Sequence, residues 1–227
     1  GERALWQLEV PAGEGRSVRL KIAAEMPRGQ NAIQFRFEAE GIGQEDKVEA
    51  TLRLDIEDRS FHEETKLDAE TEKHFRDATI PLDEGVGFAF TPSRDRRLVA
   101  RATCGRFFAE EEWCRDIPHS VEATRGQEAS GDAFSPGWFQ LPIELGQATE
   151  LTVSINEPDA QPLGQVEDSV EGDDAENEEV WGAGWLRLGQ ALNSAMNAFV
   201  VQRGEAKSII AGYPWFLDWG RDSLIAV

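Results

Sequence analysis

The residues best suited to chemistry stand together near the carboxyl end, in the stretch YPWFLDWGRD, residues 213–222. This decapeptide holds two Trp, the only Tyr of the chain, two Asp and one Arg, although the whole chain has only 7 Trp. Aromatic rings offer flat apolar faces on which a pyranose ring packs, and Asp and Arg supply acceptors and donors for its hydroxyl groups. Buried polar groups reject a ligand that leaves them unpaired, so such a site selects by stereochemistry. The stretch therefore predicts a hexose-binding subsite.

Each of these residues also has a purely structural interpretation. Asp218 or Asp222 can cap the following helix, because Asp is a favoured N-cap residue. Arg221 can form a salt bridge with either Asp, and the two Trp can belong to a core. One helix needs only one cap, so the complete set favours a ligand pocket.

The part of the chain that precedes this motif alternates apolar and polar residues with a period of two up to about residue 157, which is typical of half-buried strands. Turn-forming residues at 11–13, 27–29, 41–43 and 91–93 separate the stretches, and no convincing helical period interrupts them. Residues 1–157 are therefore predicted to form an antiparallel β-sandwich. The alternating stretches are SVRLKIAAEM from Ser17, AIQFRFEAE from Ala32, VEATLRLDIED from Val48, LVARAT from Leu98 and ELTVSI from Glu150.

The pattern changes after residue 157. Residues 158–180 contain few large apolar side chains, and residues 167–179 hold eight acids and no base, so a solvated acidic linker is predicted. Apolar residues then recur at three- and four-residue spacing, and Gly204 is placed to end a helix after Arg203. A second helix is predicted to begin at Asp222. Residues 181–227 are thus expected to open an α-helical domain that continues beyond the chain. The helical apolar positions are Leu188, Leu192, Ala195, Met196 and Phe199.

Residues 209–226, IIAGYPWFLDWGRDSLIA, resemble the start of the catalytic domain of bacterial and archaeal glycogen debranching enzymes of the amylo-α-1,6-glucosidase type. Three earlier segments resemble parts of that family's amino-terminal β domain: DRSFHEET from Asp58, GFAFTP from Gly87 and GDAFSPGWFQLPI from Gly131. The resemblance covers most of the chain except the acidic linker. Leu217 and Ser223 stand where the family pattern has a small polar residue and Thr, and neither is a predicted ligand.

The resemblance implies that the helical region is the start of an (α/α)6 barrel and that the whole enzyme hydrolyses the α-1,6-linked branch-point glucose of glycogen-type α-glucan. It implies inversion by a carboxylic acid and a carboxylate about 6.5–9.5 Å apart. Both are expected beyond Val227, so this chain is expected to hold no catalytic residue and to be inactive alone. The resemblance also implies a set of glucose-binding residues, which are Trp215, Asp218, Trp219, Arg221 and Asp222. Arg221 and Asp222 would bind hydroxyl groups of the terminal glucose, with Trp219 packed beside it.

Two other functions stay open at this point. One is a non-catalytic carbohydrate-binding β-sandwich, against which the helical region after residue 181 argues. The other is a glucoamylase-like or trehalase-like (α/α)6 glycosidase, against which the extended resemblance of residues 209–226 argues.

Composition limits the partners and the location. The net charge of −20 argues against nucleic acid, whose binding depends on basic patches. No stretch approaches the roughly 18 apolar residues of a membrane span, and the first residues lack a hydrophobic signal core. An α-glucan partner and a cytoplasmic location are expected, whereas the oligomeric state is left open. No phosphate-binding glycine motif occurs, so no cofactor is expected.

A few remaining residues invite a functional interpretation. His62 with Glu63, Glu64 and His74 suggests a metal site, but the zinc-protease pattern needs His where Lys66 stands, so no metal is predicted.

Two further sets receive a structural interpretation. Cys104 and Cys114 are predicted to be free thiols, because disulfide scaffolds are denser in Cys. Trp113, Trp138 and Phe139 are predicted to serve turn and core packing rather than an aromatic platform.

Overall fold

The computed structural model describes residues 2–13, 15–27, 30–41, 48–60, 63–144, 146–155, 188–189, 191–193, 195–203, 206–212 and 216–218. The chain divides into two compact units. The first comprises Gly1–Arg59 and Glu64–Val166, and the second comprises Ser60–Glu63 and Glu167–Val227.

The described part of the first unit consists of twelve strands and two helices. The strands are β1 (Glu2–Gly13), β2 (Arg16–Met26), β3 (Ala32–Glu40), β4 (Val48–Arg53), β5 (Thr79–Pro81), β6 (Val86–Ser93), β7 (Arg96–Ala102), β8 (Arg106–Phe108), β9 (Glu112–Pro118), β10 (Ser130–Ser135), β11 (Trp138–Ile143) and β12 (Thr149–Ile155). The helices are α1 (Ala69–Ala78) and α2 (Ser120–Thr124).

One large antiparallel sheet forms the first layer, with strand order β1-β2-β3-β12-β7-β6-β5. β12 is the last of these strands in the sequence, yet it lies between β3 and β7 and pairs with both. Cross-strand partners share a face, so Leu151 of β12 continues the row of Phe35 and Ala102. This face carries the apolar residues of the alternating pattern.

A second layer covers the centre of that face. It contains the three-stranded sheet β4-β11-β8 and the pair β10-β9, and Ile56 joins the two through a bridge to Phe134. Phe139 and Leu141 of β11 and Phe88 of β6 are all 0% exposed and belong to one core cluster. This packing of two antiparallel layers confirms the predicted β-sandwich.

The absence of helix predicted for residues 1–157 is wrong, because α1 and α2 lie within this range. The side chain of Asp68 caps α1 by accepting hydrogen bonds from the backbone N–H groups of Glu70 and Thr71. Phe75 is its one buried residue and stacks on Phe90 with ring centroids 5.1 Å apart. A helix that is polar on nearly all sides lacks the apolar period from which helices are recognised.

All five alternating stretches contain strands, namely β2, β3, β4, β7 and β12. Two predicted turns are wrong. β1 continues to Gly13, with its register shifting between Pro11 and Gly13. β6 likewise continues to Ser93, and the turn lies at Arg94 and Asp95. A β-bulge accommodates turn-forming residues within a strand, so they do not always end it.

In the second unit, the described residues of 188–198 are helical, which agrees with the predicted helix there. Its predicted end at Arg203 is wrong, because β13 (Val200–Arg203) pairs antiparallel with β14 (Ala206–Gly212). Val200 and Val201 are β-branched and favour a strand. β15 (Phe216–Asp218) completes this three-stranded sheet.

The predicted acidic linker and the whole of the predicted second helix lie outside the described residues, as does Gly204. Among the described helices, none has both the length and the apolar character needed to cross a membrane.

Candidate functional site

The structure describes only the centre of the predicted hexose-binding motif. Asp218 ends β15, where its Cα lies opposite that of Ile210, and Phe216 lies opposite Gly212. The motif therefore enters a short antiparallel sheet. Trp215, Trp219, Arg221 and Asp222 lie outside the described residues, as does the side-chain environment of Asp218. Convergence of the five side chains on one hexose stays a prediction.

The three β-domain segments that resemble the debranching family meet in space. The backbone N–H of Asp132 donates to the carbonyl of Thr65 over 2.7 Å, which joins the segment from Gly131 to the segment from Asp58. Phe90 of the third segment stacks on Phe75, and Phe75 contacts Phe134 with ring centroids 5.6 Å apart. The parts of these segments that belong to the first unit thus form one continuous region.

Asp132 organises this region through its carboxylate. One oxygen accepts from the backbone N–H of Leu67 over 2.8 Å and the other from that of Asp116 over 2.9 Å. These donors, Leu67 first, hold the pKa of Asp132 below its ordinary value against the opposing effect of burial. Asp116 has a φ of 54° and lies opposite the register shift of β10, so the carboxylate fixes a bulge in β9.

A partly buried charge cluster lies beside Asp132 and consists of Glu57, Arg59, Glu64 and His119. The Nδ1 atom of His119 is 2.8 Å from Oε2 of Glu64, and its Nε2 atom is 3.5 Å from Oε1 of Glu57. Nδ1 and Oε2 are close enough for an ion pair, but they do not form a hydrogen bond with each other. Arg59 donates to the second oxygen of each Glu. The carboxylates of Glu57 and Glu64 therefore each have Arg59 at one oxygen and the imidazole of His119 at the other.

Gly131 makes room for the charge cluster. A Cβ atom at this position would lie 2.7 Å from Cε1 of His119 and 3.0 Å from Oε2 of Glu64. Only the absence of a side chain lets β10 approach the imidazole so closely. The cluster thus belongs to the same packed region as Asp132.

Glu57, Glu64 and His119 form the one group of His, Cys and acidic residues, within the described part of the chain, that is close enough to hold a metal ion. The two ring nitrogens of His119 face different carboxylates, whereas one ion binds one nitrogen of a ring. Arg59 also adds a positive charge there. The arrangement therefore favours an internal charge network. Of the residues weighed from the sequence, His74 packs its ring edge against Phe75 instead, and His62 lies outside the described residues.

Sequence reasoning did not find the role of His119. This residue is 55 positions or more from its partners, and no local pattern connects them. The only sequence signal was the density of charge in the DRSFHEET segment, which supplies Arg59 and Glu64.

The aromatic residues weighed as a platform are mostly core. Phe139 is fully buried, and the ring of Trp113 lies 5.3 Å from each of the rings of Phe75 and Phe134, so the predicted packing role is confirmed for both. Trp138 is half-buried and stacks on Phe108 at 4.1 Å.

The two cysteines are also as predicted. Cys104 and Cys114 are both free thiols.

Two family models match the chain. Residues 5–150 match the model described as glycogen debranching enzyme N terminal. Residues 194–227 match the model described as amylo-alpha-1,6-glucosidase. No curated protein matches the chain. The first match covers more than half of the residues and includes most of the β-sandwich, Asp132 and the charge cluster. The chain therefore belongs to the glycogen debranching enzyme N-terminal family.

Proposed function

We propose that the chain is part of a glycoside hydrolase that removes α-1,6-linked branch-point glucose from glycogen-type α-glucan. The observation that carries this proposal is the succession of the two family matches, residues 5–150 and then residues 194–227, in one chain. The second match favours an enzyme over a stand-alone carbohydrate-binding module. It also favours debranching over a glucoamylase-like or trehalase-like reaction.

The proposed domain organisation follows the sequence pattern. Residues 1–157 form the β-sandwich domain, residues 158–180 an acidic linker, and residues 181–227 the first part of an (α/α)6 glycosidase domain. The fold of the first unit and the helical residues of 188–198 support this division.

The proposed glucose-binding residues all fall within the second family match. Trp215 and Trp219 would supply the apolar surface on which a pyranose packs. Arg221 would donate to ring hydroxyls through its fixed fork, and Asp218 and Asp222 would accept from them. We assign all five to substrate binding and none to proton transfer, which needs an acid and a base about 6.5–9.5 Å apart on either side of the scissile bond.

We also propose a cytoplasmic location with α-glucan, and no nucleic acid, as the partner. Both cysteines are free thiols, as is usual in a reducing compartment. The net charge of −20 opposes binding of a phosphate backbone.

The test is Asp222→Ala in the enzyme that contains this chain. Turnover of a branched limit dextrin should fall by about a hundredfold or more, which corresponds to about 3 kcal/mol of transition-state stabilisation. Thermal unfolding should be unchanged. Asp95→Ala, at an exposed turn of the β-sandwich, is the matched control and should keep normal turnover.

Two results would contradict the proposal. Unchanged kinetics in the Asp222→Ala variant would reject the glucose-binding assignment. A parent enzyme that hydrolyses trehalose or linear α-glucan but leaves branched dextrin intact would reject the substrate.

A further inference from the structure

Strand β1 forms an edge of the seven-stranded sheet and pairs only with β2 among the described strands. Its residues Trp6, Leu8 and Val10 share the sheet face that elsewhere forms the core, because Trp6 lies opposite Ile22 and Ile22 lies opposite Phe37. They are nevertheless 48%, 47% and 44% exposed. An exposed edge with an apolar face is a template for pairing with another strand.

The opposite face of β1 carries charge. Arg3 lies opposite Glu25 of β2, and Glu9 lies opposite Arg19. Arg19 in turn lies opposite Glu40 of β3 and forms an ion pair with it over 3.3 Å. One row of opposed residues thus runs from Glu25 to Arg3, and the other runs from Glu40 through Arg19 to Glu9. The sign of the charge changes from each strand to the next, so β1 ends one row with a cation and the other with an anion.

We propose that β1 pairs antiparallel with β1 of a second copy of this chain, around a two-fold axis at Trp6. In this register Arg3 lies opposite Glu9 of the second copy, and Glu9 lies opposite Arg3 of the second copy. The row then reads Glu25, Arg3, Glu9 of the second copy and Arg19 of the second copy, which continues the alternation of sign. The strand is complementary to itself, as an isologous interface requires.

The charge pattern selects this register. Shifting the strands by two residues in either direction keeps the faces aligned but places Arg3 opposite Gln7 or Pro11 of the second copy. A shift of one residue would turn the apolar face of one copy toward the charged face of the other. Only the register centred on Trp6 satisfies both faces.

The same register also covers the apolar face. Trp6 lies opposite Trp6 of the second copy, and Leu8 lies opposite Ala4 of the second copy. The core rows of the two sheets then become continuous, and aromatic pairs of this kind stabilise neighbouring strands. Both the charged face and the apolar face of β1 therefore match a second copy of the chain in this register.

Sedimentation of the 227-residue chain over a range of concentrations tests the proposal. The unmodified chain should reach a dimer at high concentration. Arg3→Glu and Glu9→Arg should each raise the dissociation constant at least tenfold by opposing like charges. The double variant R3E/E9R should restore dimerisation, because each copy again meets the opposite sign. Circular dichroism melting would confirm that all variants fold.

Disulfide trapping tests the register itself, in a C104S/C114S background. The variant W6C should cross-link two chains under mild oxidation, since position 6 lies opposite itself and opposed Cα atoms of an antiparallel pair are about 4.5–5.5 Å apart, a distance that a disulfide spans. The matched variant L8C should not, because position 8 lies opposite position 4.

Three outcomes would overturn the inference. A chain that stays monomeric at every concentration would show that β1 does not pair with a second copy. A dimer insensitive to both single charge changes would use another surface. Cross-linking of L8C as efficient as that of W6C would exclude the proposed register.

Discussion

The centre and the edge of the first unit use the same sequence pattern with opposite results. Leu141 of β11 and Leu8 of β1 both occupy apolar positions of alternating strands, yet Leu141 is 0% exposed and Leu8 is 47% exposed. The two-residue period decides which face of a sheet a side chain joins. The presence of a second layer decides whether that face is buried. Local pattern therefore predicts strands well and burial poorly.

The core shows where the second layer ends. Residues of β2, β3, β6, β7, β10, β11 and β12 contribute to the core cluster, whereas no residue of β1 does. β1 is thus held mainly by its ladder with β2. We expect its side chains to contribute much less to the free energy of unfolding than those of β11.

The largest expected effect is that of Leu141→Ala. Truncating this fully buried side chain should lower the free energy of unfolding by about 2–5 kcal/mol, because lost burial adds to the cost of a cavity. Urea unfolding followed by tryptophan fluorescence measures it. A loss below about 1 kcal/mol would show that a side chain of β11 contributes no more to the free energy of unfolding than one of β1.

An intermediate effect is expected for Asp132→Asn, which leaves one backbone donor without a carboxylate oxygen. The free energy of unfolding at neutral pH should fall by about 1–3 kcal/mol. Because the folded pKa of Asp132 is lowered, its contribution is present above the unfolded pKa of about 3.9 and is lost as pH falls through the folded pKa. The variant should therefore show a shallower loss of stability in acid than the parent.

Asp95→Asn is the matched control for that measurement. Asp95 is exposed, and the hydroxyl of Ser93 lowers its pKa. Its neutralisation should change stability little, since hydrogen bonds and charges at the surface are weak. Equal acid profiles for the two variants would show that the backbone hydrogen bonds to Asp132 do not lower its pKa more than the surface contacts lower that of Asp95.

The smallest effect is expected for Leu8→Ala, the edge counterpart of Leu141→Ala. About half of the side chain is exposed, so the loss should be about 1 kcal/mol or less by urea unfolding at a concentration where the chain is monomeric. A loss as large as that of Leu141→Ala would show that the apolar face of β1 is buried within one chain.

The strands could be predicted because their signal is local. AIQFRFEAE predicts β3 with its observed bounds, Ala32–Glu40. Helix α1 could not be predicted from its period, because Phe75 is its only buried residue. Its usable signal is the cap at Asp68, which a search for apolar repeats overlooks.

The two candidate sites differ in the same way. The hexose-binding motif was found because its residues are adjacent in sequence, although their convergence is not described. The charge cluster was not found, because His119 meets Glu57 and Glu64 only through the pairing of β9 with β10 and the approach of Gly131. Contacts between distant segments depend on topology, which no single segment encodes.

The central place of β12 also determines when the large sheet can form during synthesis on the ribosome. β3 and β7 meet only through β12, so the large sheet stays in two halves until residues 149–155 have left the exit tunnel. During that interval β3 and β7 each present an open edge to solvent, where other nascent chains can pair with them. A truncated gene that stops before Thr149 should therefore yield inclusion bodies, whereas one extended past Ile155 closes the sheet.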